Sequence, residues 1–214
     1  MESVLCEELF DLGHSLLGEV LGGRYPWEVL GILEEEIWRL GACLDKDIYD
    51  EVWQGVWVAR DAKVSPSACL CPPCIVGAGS QVRQGAYIRG SALIGKGCVV
   101  GNSTEVKNAI LFDEGKAPHF NYIGDSILGY KAHLGAGVVL SNVRCDKGEV
   151  VVKCQPPILT GRKKVGSFVG DGCEVGSHCV LNPGTILGRG CLVYPLTSVG
   201  GVYTTGSRIG GKHG

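Results

Sequence analysis

The chain has 214 residues, a length that suits one substantial domain with an appendage. Its net charge of −2 argues against nucleic acid and anionic membranes as partners. The sequence has neither a basic N-terminal segment followed by a long apolar run nor a stretch of about 18 apolar residues, so it predicts a cytoplasmic protein without a membrane span. Glycine accounts for 34 residues, more than twice the usual share of about 7%, without the period of collagen.

The first 50 residues lack the periodicity that marks the rest of the chain. The stretch 25–41, YPWEVLGILEEEIWRLG, places these apolar residues on one helical face: Trp27, Leu30, Leu33, Ile37 and Leu40. Pro26 suits the first turn of that helix, and Gly41 suits its C-cap. We expect residues 1–50 to form a helical cap over an open edge of the following structure, or a linker. An arm that binds a partner is the alternative.

From residue 58 onward, an aliphatic residue recurs every six positions. The recurring residues are Val58, Val64, Leu70, Val76, Val82, Ile88, Ile94, Val100 and Val106, then Leu128, Leu134 and Leu140, then Val169, Val175, Leu181, Leu187, Val193 and Val199. A period of six fits neither an amphipathic helix nor an alternating strand. It fits a parallel β-helix with three hexapeptides per coil, in which the aliphatic side chains point inward and stack about 4.8 Å apart.

The chain contains 11 cysteines, an odd number that argues against a disulfide framework. A small residue often stands four positions after the aliphatic one, and five cysteines occupy this position: Cys74, Cys98, Cys173, Cys179 and Cys191. A free thiol there acts as a small hydrophobe, so we expect these cysteines to be reduced and structural. The alternative is a metal site at Cys69, Cys71 and Cys74. We expect no metal, because no second pair of cysteines follows at zinc-ribbon spacing.

The segment KAPHFNYIGDS, residues 116–126, interrupts the period around His119. We interpret it as a bulge that lifts His119 out of the regular wall toward a cleft. Histidine suits proton transfer because its unperturbed pKa is near 6.5. A surface histidine on a loop is the alternative. A second interruption, residues 141–164, predicts a long loop, and such loops are often functional; a solvated excursion is its alternative.

The hexapeptide pattern over residues 52–201 resembles the left-handed parallel β-helix of the hexapeptide-repeat acyltransferases. Residues 75–200 further resemble the C-terminal acetyltransferase domain of the bifunctional glucosamine-1-phosphate acetyltransferase/N-acetylglucosamine-1-phosphate uridylyltransferases. They are closer still to the archaeal sugar-1-phosphate nucleotidylyltransferase/acetyltransferases. The segments that carry this resemblance are KAPHFNYIGDS (116–126), GAGVVLSNVR (135–144) and TGRKK (160–164).

The resemblance implies an all-β fold class, a left-handed parallel β-helix of hexapeptide repeats with an N-terminal helical segment. The expected organisation is a helical cap or linker (1–50), a β-helix acetyltransferase domain (51–204) with an inserted loop (141–164), and a disordered tail (205–214). The glycine-rich nucleotide motif of the uridylyltransferase half is absent from the sequence, so we expect no nucleotidyl transfer.

The resemblance also assigns roles to residues. His119 takes the position of the catalytic base. The positions that bind the acceptor sugar phosphate correspond to Arg89, Lys107, Tyr122, His133 and Asn142. The positions that bind acetyl-CoA correspond to Ala136, Asn142, Ser177, Pro195 and Lys163, although Arg162 and Lys164 are equally suited to meet the phosphates of CoA. His133 and the pair Pro195–Leu196 depart from the family pattern, which leaves the exact acceptor open.

The activity implied by the resemblance is acetyl-CoA-dependent N-acetylation of an amino-sugar phosphate such as glucosamine-1-phosphate, a step of UDP-N-acetylglucosamine biosynthesis. We expect a homotrimer, because the flat faces of one β-helix lack a deep pocket and packed copies form clefts. An acyltransferase of another sugar or nucleotide-sugar and a non-catalytic regulatory or assembly module are the alternatives. Carbonic anhydrase-like relatives of the fold bind zinc through several histidines, but the five histidines here are scattered.

Overall fold

The structure, a computed structural model, describes residues 4–211. Its main body is a parallel β-helix in which short strands from successive coils stack into three long sheets. The fold class predicted from the hexapeptide period is therefore confirmed. In this part of the chain no helix has the length and apolar character needed to cross a membrane.

Three sheets, here called A, B and C, form the three sides of the prism. Sheet A contains β1 (Tyr49–Trp53), β2 (Val56–Ala59), β5 (Cys74–Val76), β8 (Ala92–Ile94), β11 (Ala109–Leu111), β14 (Ile127–Leu128), β19 (Ser167–Val169), β22 (Thr185–Leu187) and β25 (Val202–Tyr203). Sheet B contains β3 (Lys63–Val64), β6 (Gln81–Val82), β9 (Val99–Asn102), β12 (Lys116–His119), β15 (His133–Leu134), β20 (Glu174–Val175), β23 (Leu192–Val193) and β26 (Arg208–Ile209). Sheet C contains β4 (Cys69–Leu70), β7 (Tyr87–Ile88), β10 (Glu105–Lys107), β13 (Tyr122–Gly124), β16 (Val139–Leu140), β21 (Val180–Leu181) and β24 (Ser198–Val199).

The interior of the prism is filled by the aliphatic residues that the period selects. In sheet A, Val76 pairs with Ile94, Ile94 with Leu111, and Leu111 with Leu128, all in parallel register. The five cysteines expected inside are buried: Cys74, Cys98, Cys173, Cys179 and Cys191. The thiols of Cys98 and Cys173 each donate to a backbone carbonyl oxygen at 3.0 Å, so these buried polar groups have partners.

The interruption of the period lies at two corners and not at His119. The inward residues Leu111, Ala117 and Ile123 keep the six-residue spacing through the histidine segment. The spacing shortens to five from Val106 to Leu111 and again from Ile123 to Leu128, where the chain turns from sheet C into sheet A. His119 therefore belongs to the regular strand β12. This corrects the expectation of a bulge, because a shortened corner shifts the sequence period without distorting the strands.

The N-terminal segment packs on the outer side of sheet A and does not close an open end of the prism. Its helices are α1 (Cys6–Leu9), a 3₁₀ turn (Leu12–His14), α2 (Gly18–Leu21), α3 (Pro26–Val29) and α4 (Leu33–Cys43). Together with the outward side chains of sheet A they bury a second apolar core, whose sheet residues are Trp57, Ile75, Leu93, Ile110, Ile127, Phe168 and Ile186. The expectation of an end cap is therefore corrected. In sheet A the middle residue of each three-residue strand is apolar and faces the helices, which shield it from water.

The predicted helix over 25–41 is divided into α3 and α4. Leu33 and Ile37 are buried as expected, and Leu40 is half-buried. Gly41 lies within α4 and not at its C-cap. The ring of Trp57 packs against it, which leaves no room for a side chain at this position. A Cβ at Gly41 would stand 2.4 Å from atoms of that ring.

The inserted loop 141–164 is partly ordered by its own hairpin. Strands β17 (Val151–Val152) and β18 (Ile158–Leu159) pair antiparallel, and Val143 bridges to Lys164 at the base. Val152 is fully buried in the second core, so the first strand of the hairpin packs on its own chain.

The C-terminal stretch 205–214, expected to be a disordered tail, contains β26, which pairs with β23. That expectation is corrected for residues 205–211, and 212–214 lie outside the described residues. At the other end, β1 pairs antiparallel with β2. Tyr49 is buried, and the rest of β1 is exposed.

Candidate active site

A column of equivalent residues runs along the edge where sheet B turns into sheet C. Its members in successive coils are His119, Ala136, Ser177 and Pro195. Backbone hydrogen bonds hold them in register: the amide of Gly137 donates to the carbonyl oxygen of His119 at 3.1 Å, and the amides of His178 and Leu196 donate to the carbonyl oxygens of Ala136 and Ser177 at 2.8 and 3.0 Å. Neighbouring coils are about 4.8 Å apart. The structure therefore brings the predicted base and three of the predicted cofactor positions onto one edge.

His119 is the last residue of β12, with its side chain exposed at this edge. Its backbone amide donates to Oδ1 of Asn121 at 3.2 Å, and the amide group of Asn121 in turn donates to the carbonyl oxygen of Gly135 at 2.8 Å. Asn121 is buried, so it fixes the backbone beneath the histidine. Sequence reasoning missed this residue; its signal is a polar side chain at a position that faces inward.

An open cavity of about 390 Å³ lies near the loop root, and a larger one of about 750 Å³ extends from His119. The larger cavity is lined by Asn102 and Pro118 beside the histidine and by residues of the first two strands of sheet B. Its position leaves the imidazole accessible to a ligand from the solvent side.

Two of the predicted acceptor-binding cations lie on the outer face of sheet C. Nη1 of Arg89 lies 2.9 Å from Oε1 of Glu105, and Nζ of Lys107 lies 3.0 Å from Oδ1 of Asp125. Each cation is thus oriented by a carboxylate. The Glu105 contact raises the pKa of Arg89, first through the hydrogen bond and then through the opposite charge.

Asp125 is the centre of a polar cluster at the shortened corner between sheets C and A. Its side chain is 6% exposed and accepts from Lys107. It also accepts from Nδ2 of Asn108 at 2.8 Å and from Nδ2 of Asn142 at 2.5 Å. Three donors therefore satisfy a buried carboxylate. Asp125 and Asn108 were not predicted. Their signal in the sequence is that the spacing between inward residues falls from six to five around each of them.

Tyr122 lies between the cations and the loop root. It pairs in register with Glu105 on one side and Val139 on the other. Burial raises the pKa of the Tyr122 phenol, as do the charges of Glu105 and Asp125, while a hydrogen bond with the Asn142 side chain opposes the rise. Tyr122 and Asn142, both predicted to bind the acceptor, are therefore in contact.

Two predicted site residues lie away from the edge column. His133 lies on sheet B, with Nδ1 2.8 Å from Oε2 of Glu174, and it pairs with Lys116 three positions before His119. Lys163 lines a cavity of about 360 Å³ beside Asn108 and Asp125, away from the edge column. Within one chain Lys163 therefore lies apart from Ala136, Ser177 and Pro195, and its assignment to the cofactor stays a prediction.

The three cysteines that suggested a metal site differ in their exposure. Cys69 is exposed on the outer face of sheet C, Cys71 is half-buried, and Cys74 is buried in the interior. Within residues 4–211 no group of three metal-ligating side chains converges.

Comparison with known proteins supports the resemblance. Residues 70–156 match the family described as the GMPPB C-terminal domain. The bifunctional protein GlmU of Methanococcus maripaludis strain C5 is 32% identical over 108 residues, covering 50% of this chain and 26% of that protein. The bifunctional sugar-1-phosphate nucleotidylyltransferase/acetyltransferase of Sulfurisphaera tokodaii is 32% identical over 111 residues, covering 51% and 28%. A third relative, GlmU of Methanococcus maripaludis strain S2, is 29% identical over 173 residues, covering 79% and 42%.

The chain thus spans between 26% and 42% of the length of these curated relatives. Among solved structures, PerB of Caulobacter crescentus in complex with CoA and GDP-perosamine has a TM-score of 0.34 at 22% identity, covering 69% of this chain and 54% of that one. UDP-N-acetylglucosamine O-acyltransferase (LpxA) of Moraxella catarrhalis has a TM-score of 0.41 at 14% identity, covering 72% and 66%. The resemblance predicted from the sequence is confirmed by the family match and the curated relatives.

Proposed function

We propose that this relative of the sugar-1-phosphate nucleotidylyltransferase/acetyltransferases is an acetyl-CoA-dependent N-acetyltransferase acting on an amino-sugar phosphate such as glucosamine-1-phosphate. The observation that carries the proposal is the edge column, which aligns His119 with Ala136, Ser177 and Pro195. The column borders the face of sheet C that carries Arg89 and Lys107. A base, a path for a thioester and a pair of cations thus occupy adjoining surfaces.

In this proposal His119 acts as the general base. The acceptor amine attacks the thioester carbonyl of acetyl-CoA, the new C–N bond forms, and the C–S bond breaks. His119 takes the proton from the amine nitrogen, and CoA departs as the thiolate. A positioned base of this kind contributes about 10²- to 10⁴-fold to the rate. The backbone contact with Asn121 supports the role, because a rigid strand end holds the imidazole in place.

Arg89 and Lys107 bind the acceptor phosphate in this proposal, as charge-assisted hydrogen bonds favour. Glu105 and Asp125 keep the two cations extended on one face of sheet C. Tyr122 and Asn142 contact the sugar beside them, and His133 is a further acceptor contact from sheet B.

Acetyl-CoA lies along the edge column beside Ala136, Ser177 and Pro195 in this proposal, with Asn142 near its thioester. Asn142 and Lys163 both lie beside Asp125 and not on the edge column, so in this proposal they meet the acetyl-CoA that lies along a neighbouring protomer's column. We therefore propose a homotrimer. The helices cover the outer side of sheet A, which leaves sheets B and C for packing. The eleven free cysteines suit a reducing cytoplasm.

An acyltransferase of another sugar or of a nucleotide-sugar is the second candidate. Leu196 favours it: this side chain is 75% exposed beside Pro195, where the family resemblance calls for a small residue. A bulky group there narrows the path of the cofactor or touches a larger acceptor.

The deciding experiment incubates the purified protein with acetyl-CoA and a panel of amino-sugar phosphates, and measures free thiol released. We expect turnover with glucosamine-1-phosphate or a close analogue, and a trimer by light scattering. Turnover with nucleotide-sugars alone would favour the second candidate. The absence of thiol release and of a thermal shift with CoA would instead indicate a non-catalytic module. A stable monomer with full activity would exclude the shared trimeric site.

A further inference from the structure

The cavity of about 750 Å³ that extends from His119 is lined by positive charge. The cations Lys63 and Arg83 line it, and none of its lining residues, all within residues 4–211, is acidic. The other polar groups of the lining are neutral: the hydroxyl of Ser65 and the side-chain amides of Gln81, Gln84 and Asn102. A concave surface with two cations and no carboxylate favours an anionic ligand.

Neither of these two cations has a carboxylate partner among residues 4–211. Nη2 of Arg83 donates to a neutral group, Oε1 of Gln81, at 3.3 Å. The cations of sheet C differ in this respect, because Arg89 and Lys107 are each paired with a carboxylate. The Arg83 guanidinium therefore keeps its charge uncompensated and further N–H donors available, in the fork that matches phosphate oxygens.

The cavity lies on the side of His119 that the edge column leaves free. Asn102 pairs with His119 in parallel register, and Nδ2 of Asn102 donates to the carbonyl oxygen of Gln84 at 3.0 Å. Gln84 and Asn102 thus continue the edge in the direction opposite to the three proposed cofactor positions. Because the proposed acetyl-CoA path occupies the other direction, the cavity is open to an acceptor that meets the imidazole.

The distance from His119 to the cations indicates the length of the ligand. The strand of Arg83 is two coils before the strand of His119, and the strand of Lys63 is three coils before it, at about 4.8 Å per coil. Glucosamine-1-phosphate carries its amine and its phosphate on neighbouring carbons, so it is short for this span. An amino sugar joined to a nucleoside diphosphate has the greater length and a second phosphate.

Gly101 leaves the surface between Arg83 and the strand of His119 uncovered. It lies between Arg83 and Pro118 in the stack of coils. A Cβ at Gly101 would collide with the carbonyl group of Pro118, so no side chain fits there. A ligand can therefore lie against the backbone along the way from the imidazole to the guanidinium.

We propose that Arg83 and Lys63 bind the diphosphate of a nucleotide-linked amino sugar in the cavity on the outer face of sheet B. The inference rests on the proposed function, and it gives the second candidate acceptor a binding site of its own. The amine of that acceptor meets His119, and the diphosphate extends away from the cofactor column toward the two cations. Arg89 and Lys107 lie on sheet C, beyond the edge, and take no part in this contact.

The test measures the Kd of UDP, GDP and glucosamine-1-phosphate by calorimetry on the full chain. UDP and GDP carry the diphosphate without an amine, so they bind without being acetylated. We expect Arg83→Gln to weaken the binding of UDP and GDP by about 10- to 100-fold, the worth of a hydrogen bond to a charged group. Lys63→Gln should weaken it by a smaller factor. Arg39→Gln is the matched control, because Arg39 is exposed on α4 and paired with Glu36.

Arg89→Gln should show the converse, with weaker binding of glucosamine-1-phosphate and unchanged binding of the nucleoside diphosphates. If neither UDP nor GDP binds the unchanged protein, or if Arg83→Gln binds them within about twofold of it, the inference is wrong. Equal losses for UDP and glucosamine-1-phosphate also overturn it, because they indicate a general loss of positive charge and not a lost contact. Thiol release in the acceptor panel tests the proposed function separately, so that function can stand when this inference fails.

Discussion

Asn142 donates from Nδ2 to Oδ2 of Asp125 at 2.5 Å, across 17 positions of sequence. The bond joins the root of the inserted loop to the shortened corner of the preceding coil. Because Asp125 also holds Lys107, the loop and an acceptor-binding cation share one buried carboxylate. A change at Asp125 therefore affects both stability and the proposed acceptor site.

Asp125→Asn should lower the free energy of unfolding by about 1.5–3 kcal/mol, the range for hydrogen bonds to charged groups. Asparagine tolerates the φ of 47° at this position, so the loss of stability is due to the lost charge and not to backbone strain. Urea denaturation measures it. Asp146→Asn is the matched control: its pair with Arg144 is exposed, and such pairs contribute about 0–1 kcal/mol. Equal effects of the two changes would contradict the central role of Asp125.

His119→Ala should lower kcat by about 10²- to 10⁴-fold, because the proton of the attacking amine would lack its acceptor. The thermal midpoint should hardly change, since the side chain is exposed. Steady-state kinetics with the acceptor found in the panel give the result. A variant that keeps more than about a tenth of the rate would remove His119 from this role.

Arg89→Gln should raise the KM for the acceptor about 10- to 100-fold, with a smaller effect on kcat, because a charge-assisted contact to phosphate is lost. The KM for acetyl-CoA should stay unchanged. Arg60→Gln is a suitable control, since Arg60 forms an exposed ion pair with Asp50, near the start of the prism. The assay varies each substrate at saturation of the other. An equal rise in both KM values would argue against a phosphate contact.

Thiol titration should distinguish inner from outer cysteines. Burial raises the pKa of Cys74 and Cys98 to about 12, which keeps them protonated and unreactive at neutral pH. Native protein should therefore show only a few fast thiols, led by the exposed Cys43, Cys69 and Cys145, and denatured protein should show all 11. Stoichiometric zinc in the purified protein would revive the metal site.

Ile110→Ala should destabilise the chain by about 2–5 kcal/mol, because the side chain is fully buried between sheet A and the helices. Leu159→Ala, at a position 74% exposed on the hairpin, should change stability by less than about 0.5 kcal/mol. Thermal denaturation of both variants checks the difference. A small effect at Ile110 would mean that the helices detach readily from the sheet.

The inside of the prism was predictable because aliphatic residues recur at one spacing. Val76 pairs with Ile94 and Val82 with Val100, and in each pair the two residues are one coil apart and follow the period. The period also predicted that the position four residues after the aliphatic one, where Cys98 and Cys173 lie, faces the interior. Local spacing suffices here, since every coil repeats the same environment.

The cover of sheet A was not predictable from that period, although its signal was present. Leu93 and Ile110 are each next to an inward residue in the sequence. They therefore look like part of a continuous apolar run, and the sequence does not reveal that they face outward. The cluster around Asp125 was missed for a different reason. Its donors come from positions 107, 108 and 142, and only the fold brings them together.

Strand β1 has a consequence for growth of the prism. Coils add to sheets A, B and C in parallel, and an open coil edge is a template on which another molecule can continue the stack. β1 runs antiparallel to β2, and its residues Asp50 and Glu51 are exposed. An incoming coil would meet a reversed strand with two acidic side chains. End-to-end polymerisation into a fibre is thereby disfavoured on the sheet A side of this end.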